Sequence, residues 1–178
     1  MNYLQKMKGG GQSPPKVGPI EILWSWVGSF AGIAGVALIH YKILDQSGLM
    51  LILGSFGASA VLIYGAVRSP LAQPRNLLGG HILSAIVGVT ASQWLGGTPW
   101  LAAAVAVSVS IALMHLTGTL HPPGGATALI AVIGGDSVHS LGYLYVVMPV
   151  ALGAAVMLLV AVIVNNIPAT RKYPEFWL

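Results

Sequence analysis

Thr119-Leu120-His121-Pro122-Pro123-Gly124-Gly125-Ala126-Thr127-Ala128 interrupts an otherwise apolar half of the chain. Two prolines followed by two glycines do not belong inside a regular helix. Proline is at home in a helix's first turn, where its missing donor costs nothing. The string therefore predicts a break followed by a helix start. The apolar run from Gly124 to Gly134 supplies about half of the ~20 residues that a helix needs to cross a bilayer. Leu120 to Gly124, extended at about 3.3 Å per residue, would make up the length. Such irregular backbone is tolerated at membrane depth only where protein buries it or it lines a wet cavity.

The composition puts that break inside a membrane. Of 178 residues, 56% are hydrophobic and 7% charged, against roughly a quarter charged in soluble domains. Eight basic and four acidic residues are too few to coat a soluble surface, whereas lipid needs no polar coat. The mean hydropathy of +0.82 agrees. The 23 glycines suit helices that pack backbone to backbone. A net charge of +4 does not indicate a nucleic-acid partner, because the basic residues sit at the ends of apolar runs without interleaved aromatics. With no cysteine, disulfides, thiolate nucleophiles and thiolate metal sites are excluded.

Apolar stretches fall at about 22–42, 49–67, 77–95, 100–118, 124–134 and 141–164. The second is interrupted by Gly48, Gly54 and Gly57. If all six cross, Lys6, Lys8, Lys16, Arg68, Arg75, Arg171 and Lys172 share one side, which the positive-inside rule makes cytoplasmic. Lys42 alone lies opposite, beside Asp45. Trp24, Trp26, Phe176 and Trp177 fall at the inner interface, and Tyr41, Trp94, Trp100, Tyr143 and Tyr145 at the outer one, as anchoring aromatics do. The expected organisation is a polar, mobile cytoplasmic tail over 1–19, one transmembrane domain over 20–166, and a cytoplasmic C-terminal tail over 167–178. The first apolar stretch is too long for a signal-peptide core. The short tail favours a bacterial plasma-membrane protein over an organelle import.

The two broken segments resemble each other. Ser55-Phe56-Gly57-Ala58-Ser59-Ala60 aligns with Pro123-Gly124-Gly125-Ala126-Thr127-Ala128 at an offset of 68 residues. Each half, about 20–96 and 97–166, would then be a full helix, a broken segment and a full helix. Three crossings per half invert the second half, the plan of many secondary transporters. The fold class expected is all-α, with six crossings in two inverted repeats.

Helix starts at Pro122 and near Ser55 would leave backbone N–H groups without intrahelical partners. The positive end of each helix dipole lies behind them. That is an anion site without a buried cation. Its expected residues are Ser55, Gly57, Ala58 and Ser59 from one half and His121, Pro122, Pro123, Gly124, Gly125 and Thr127 from the other. Each also has a plainer role. His121 reads equally as a residue that caps the break. His115 and His121, six apart with no carboxylate or cysteine nearby, do not read as a metal pair, and no cofactor is expected. His81 reads as an interfacial or packing residue, Gln73 and Asn76 as loop hydrogen-bonders, and Arg75 as an inner anchor or an anion recruiter.

Ser69-Pro70-Leu71-Ala72-Gln73-Pro74-Arg75-Asn76, Gly79-Gly80-His81 and Leu120-to-Ala128 together resemble the HPP family of helical membrane proteins. The resemblance covers about residues 20–168. Its cyanobacterial and chloroplast-envelope branch is described as nitrite transporters, so the resemblance implies transport of a small anion, with nitrite the implied substrate. No G-x-x-x-x-G-K-[ST] string is present, so transport would be passive or ion-coupled. One rival is a membrane enzyme, against which stands the lack of paired carboxylates or a Ser-His-Asp set. The other is a non-transporting assembly or sensor subunit, which has no use for broken helices. The expected partners are lipid and the anion. The glycine-lined helices would serve packing within one subunit or in a homo-oligomer.

Overall fold

The computed structural model describes residues 2–8, 11–44 and 51–178, all helix, turn or extended connection with no strand among them. Asp45 and Gly48 lie outside the described residues. A one-turn helix, α1 (Tyr3–Lys6), carries a capping box between Asn2 and Gln5 in the polar tail.

The larger helices begin where the sequence places proline. α2 (Pro19–Ile39), α4 (Pro74–Leu95), α5 (Pro99–Leu116) and α6 (Pro122–Ile133) all have proline in the first turn, where the fixed φ suits the helix and no donor is lost. α3 (Gly54–Ala60) continues as a wider π-type coil, Val61–Gly65. α7 (Asp136–His139) is a single turn, and α8 (Leu152–Val164) completes the bundle. Gly118 and Gly135 sit at φ +65° and +71°, where a side chain would be strained, and they turn the chain after α5 and α6.

Among the described residues, three helices are long and apolar enough to cross a membrane: Pro19–Ile43, Pro99–Leu116 and Val146–Val164. Gly54–Gly65 and Pro122–Ile133 are shorter apolar helices, so the fifth apolar stretch is short, as the sequence indicates, and the second, expected to be interrupted by glycine, is helical from Gly54. α4 has the length, 22 residues, but is diluted by Arg75, Asn76, His81, Ser84, Thr90, Ser92 and Gln93. The last stretch departs from expectation. Instead of one helix over 141–164, it breaks at Met148 (φ −136°, ψ 119°) before Pro149, because proline has no N–H to bond back and its ring crowds the preceding turn.

α4, α5 and α6 pack against one another and α4 also touches α8, while α2 lies against α8 and the α3 coil. Glycine permits the closest approaches. A Cβ on Gly28 or Gly32 would overlap the Tyr64 ring, and one on Gly153 would overlap Phe56. Between α4 and α6, a Cβ on Gly88 would stand 2.6 Å from the Ala128 carbonyl, and one on Gly124 would stand 2.8 Å from the Gly80 carbonyl. These glycines therefore serve packing within the subunit. Trp26, Phe30, Leu38, Val61, Trp94, Trp100, Leu116, Leu159 and Ile163 stand exposed around the outside, an apolar surface suited to lipid.

The chain's end folds under the bundle. Arg171, only 4% exposed, spends all its donors. Nε bonds Glu21 at 2.8 Å, Nη1 reaches the Tyr64 carbonyl and Asn165, and Nη2 reaches the Glu21 carbonyl and Ser25. The Tyr173 hydroxyl donates to the Ala72 carbonyl, and burial pushes that phenol's pKa up. Gln73, fully buried, donates to the Val67 and Ser69 carbonyls and accepts from the Glu175 N–H. The 66–73 turn is thus pinned from both sides.

Candidate functional site

α3 and α6 lie side by side and run in opposite directions. Ser59, late in α3, sits beside His121 at the start of α6, and Ser55, early in α3, sits beside Thr127 inside α6. α4 closes the third side with His81. Gly80 makes this possible, since a Cβ there would stand 2.5 Å from His121 Cβ and 2.9 Å from the Thr119 carbonyl. Asn76 and Arg75 at the start of α4 donate to the Leu120 and Thr117 carbonyls, which holds the extended segment leading into His121.

The side chains form one linear hydrogen-bonded chain. His121 Nδ1 is 2.8 Å from the Leu71 carbonyl and its Nε2 is 2.9 Å from Ser59 Oγ. Ser59 Oγ is 2.7 Å from His81 Nε2, and His81 Nδ1 is 2.7 Å from Thr127 Oγ1. Thr127 Oγ1 donates to Ser55 Oγ at 2.9 Å. The two imidazoles stand 5.0 Å apart, and Phe56 meets His81 edge-on at 5.4 Å. The Tyr145 hydroxyl donates to the Thr127 carbonyl. Ser55, Ser59, His81, His121 and Thr127 are each 0% exposed, so the cluster is closed to outside solutes. Among the described residues, no carboxylate, lysine or arginine bonds to it and no group of three metal-ligating side chains occurs.

Of the residues expected from sequence, Ser55, Ser59, His121 and Thr127 come together. Pro123 and Gly124 are buried at the same helix start. The Gly124 N–H already donates to the His121 carbonyl at 2.8 Å, and its bare Cα packs on Gly80 and Ser84. The rest face elsewhere. Gly57 and Ala58 are exposed on the far side of α3, where Gly57 lines a groove of about 560 Å³ with Trp26 and Phe30. Pro122, Gly125 and Ala126 line another of about 580 Å³ with Val107, Ile111 and His115. His115 is therefore separated from His121.

His81, which reads from the sequence as an interfacial or packing residue within the Gly79-Gly80-His81 motif, lies instead at the centre of the cluster. Its signal was a stripe of small and polar residues on α4, Gly80, His81, Ser84 and Gly88, at helical spacing. Such a stripe marks a face that meets another backbone. All four are buried.

Two proteins of Dictyostelium discoideum, each described as a transmembrane protein, are 49% and 46% identical to this chain over 99% of its length. The chain spans 58% and 64% of their lengths. Both are eukaryotic, so they lend no support to a bacterial source. No solved structure matches the chain. Residues 14–174 match the transmembrane region of the HPP family. The chain, an integral membrane protein, therefore belongs to the HPP family.

Proposed function

We propose that this protein moves a small inorganic anion across the membrane, nitrite by the family resemblance, through the place where α3 and α6 pass each other. One observation carries the reading: three hydroxyls and two imidazoles are buried together, away from any carboxylate, in the middle of an apolar bundle. Burying polar groups costs free energy even when they are bonded to one another, and a membrane scaffold has no need of it. Ser55, Ser59, Thr127, His81 and His121 supply donors that a compact anion can accept. Because they now bond to each other, the guest enters by parting α3 from α6.

The same reading has six crossings in two inverted halves, with both termini cytoplasmic. The packing supports it. α2 lies on α8 as α5 lies on α4, and α2 lies on the α3 coil as α5 lies on α6. Exchanging the halves maps these pairs onto each other and leaves α3 against α6 unchanged, although α4 packs on α6 much more extensively than its counterpart α8 packs on α3. Short helices that cross with opposed directions near the middle are what such a symmetry requires.

The test is uptake of nitrite by vesicles containing only the purified protein, compared with protein-free vesicles. Uptake that depends on the protein and falls on Ser59→Asp, which sets a negative charge in the cluster, is expected. Equal rates with and without protein would end the reading.

A second reading rests on a different feature of the cluster. Ser59 Oγ at 2.7 Å from His81 Nε2 is within the range of a nucleophile and its base. Against a hydrolase stands the seat of that hydroxyl, held between two rings with no space above it for an acyl group. Covalent labelling of Ser59 by a fluorophosphonate would favour the enzyme.

A further inference from the structure

We infer that the anion travels with one proton, which is held between His81 and His121 across Ser59; this rests on the anion site proposed above. The argument is a count of donors. The Leu71 carbonyl can only accept, so His121 Nδ1 carries a hydrogen. If His121 is neutral, its Nε2 accepts from the Ser59 hydroxyl. Ser59 has then spent its one hydrogen and accepts from His81 Nε2. A neutral His81 must now accept at Nδ1 from Thr127. Yet the Thr127 hydroxyl is placed to donate to Ser55 Oγ at 2.9 Å, with the Pro123 carbonyl a longer alternative at 3.4 Å, and it has one hydrogen to give.

Two fillings resolve this. In the neutral one, Thr127 turns its hydrogen to His81. In the other, Thr127 keeps its bond to Ser55 and the chain holds one proton more. That proton makes either His81 or His121 an imidazolium, and every contact from Leu71 to Ser55 is then filled. Moving the charge from one ring to the other requires only that Ser59 pass its hydrogen on one side and take one on the other. No heavy atom needs to move far, because both gaps to Ser59 are under 3 Å.

Charge balance links that proton to the guest. Tyr145, which donates to the Thr127 carbonyl, is the other titratable group bonded to the cluster. On α4, Arg75 is turned onto the Thr117 carbonyl, and Arg171 is matched by Glu21 beneath the bundle. The cluster therefore offers an anion no fixed countercharge. An anion alone or an imidazolium alone would be a buried, unmatched ion, which the apolar surroundings disfavour. Together they are neutral. Proton and anion enter together, the imidazolium N–H and the hydroxyls donate to the anion, and both leave, so the cycle moves no net charge.

The test measures flux with purified protein in vesicles, taking protein-dependent initial rates of nitrite entry above those of protein-free vesicles. With the membrane potential clamped at zero and nitrite equal on both sides, a pH gradient of one unit should drive net entry toward the alkaline side. An opposing nitrite gradient of about tenfold should cancel it, as one-to-one coupling requires. An imposed potential should leave the flux unchanged. His81→Gln and His121→Gln each keep one donor and one acceptor but cannot hold a proton. In whichever of them assembles, the response to the pH gradient should be lost. Flux that follows the potential and ignores the pH gradient would overturn the proton while leaving anion transport standing. A glutamine variant with the full pH response would do the same. Absence of any protein-dependent flux would overturn both.

Discussion

Gly124 and Gly125 are neighbours in the sequence with opposite surroundings, and adding one methyl group to each distinguishes them. A Cβ at Gly124 would stand 2.8 Å from both the Gly80 carbonyl and Ser84 Oγ, whereas one at Gly125 would meet only Val107 Cγ1 at 3.8 Å. The first contact is short of a normal separation by about half an ångström, and the obstacle is backbone, so α6 must move off α4. Overpacking of that kind costs about 1–3 kcal/mol. At Gly125 the contact is ordinary, and alanine instead gains up to about 0.5–1 kcal/mol through the unfolded chain and helix propensity. The alanine gain is common to both positions, so Gly124→Ala should be less stable than Gly125→Ala by the overpacking cost, about 1–3 kcal/mol. Tryptophan fluorescence of detergent-solubilised protein during heating would read this as a lower midpoint for Gly124→Ala and an unchanged or higher one for Gly125→Ala. Nitrite entry should follow, because moving α6 carries His121 and Thr127 away from His81. Equal loss in the two variants would refute the close packing of α4 on α6. Loss at Gly125→Ala alone would point to a guest approaching that backbone after all.

Ser59→Ala should cost about 1–3 kcal/mol in the same melts, because it strips the partner from Nε2 of both imidazoles, and Ser59→Thr should recover most of it. Arg171→Ala should destabilise by about 2–4 kcal/mol, with Arg171→Lys rescuing poorly because an ammonium cannot reproduce the fork. Glu21→Gln should cost under about 1 kcal/mol, since that side chain is 35% exposed and solvent-screened. Cysteines introduced at Ser13 and Thr170 should react with an impermeant reagent from the cytoplasmic side, and one at Ser137 from the outside. Reaction of positions 13 and 170 from opposite sides would give an odd number of crossings and remove the inverted repeat.

What could be read in the sequence was set by local chemistry. Prolines at 19, 74, 99 and 122 announced helix starts because the constraint lies in the residue itself. The half-length of the 122–133 helix followed from an apolar run too short to span. The hydroxyls at Ser55, Ser59 and Thr127 stood out as polar groups of the two broken segments, but the structure sets only Ser55 at a helix start, with Ser59 late in α3 and Thr127 inside α6. Which way each small residue faces was not, because in α3 and α6 glycine and alanine occupy both faces and give no periodic contrast. Gly57, Ala58 and Gly125 were therefore grouped with Ser59 and Thr127 although they face outward. The break at Met148 was missed because Pro149 lies in a continuous apolar run, and hydropathy does not register a kink. The partners of Arg171 lie far off in the chain, at Glu21, Ser25 and Tyr64, and a rule about basic residues beside membranes predicts only their side.

His81 reads from the sequence as a packing residue rather than a member of the site for a reason that bears on the proposed repeat. Under the 68-residue offset, Ser59 and Thr127 are equivalent positions. They meet the two nitrogens of one imidazole, at 2.7 Å each. A residue that serves both halves from near their axis needs no copy of itself, so a search for repeated motifs finds the pair and misses the residue between them. An imidazole suits the place better than any other side chain, since its two nitrogens point apart and can exchange donor and acceptor roles. The partners on its two sides are not alike, because Ser59 also bonds His121 while Thr127 also bonds Ser55. That asymmetry gives the hydrogen-bond chain a direction, with Leu71 as its terminal acceptor. Exchanging the two hydroxyl residues, Ser59→Thr with Thr127→Ser, should therefore preserve the chain and protein-dependent nitrite entry, since each oxygen stays in place. Thr127→Val, which keeps the shape and removes the oxygen, should abolish the response to a pH gradient. If the exchanged double variant were inactive yet folded, the chain would depend on more than its hydroxyls. If Thr127→Val responded to pH as the native protein does, the proton would take another path.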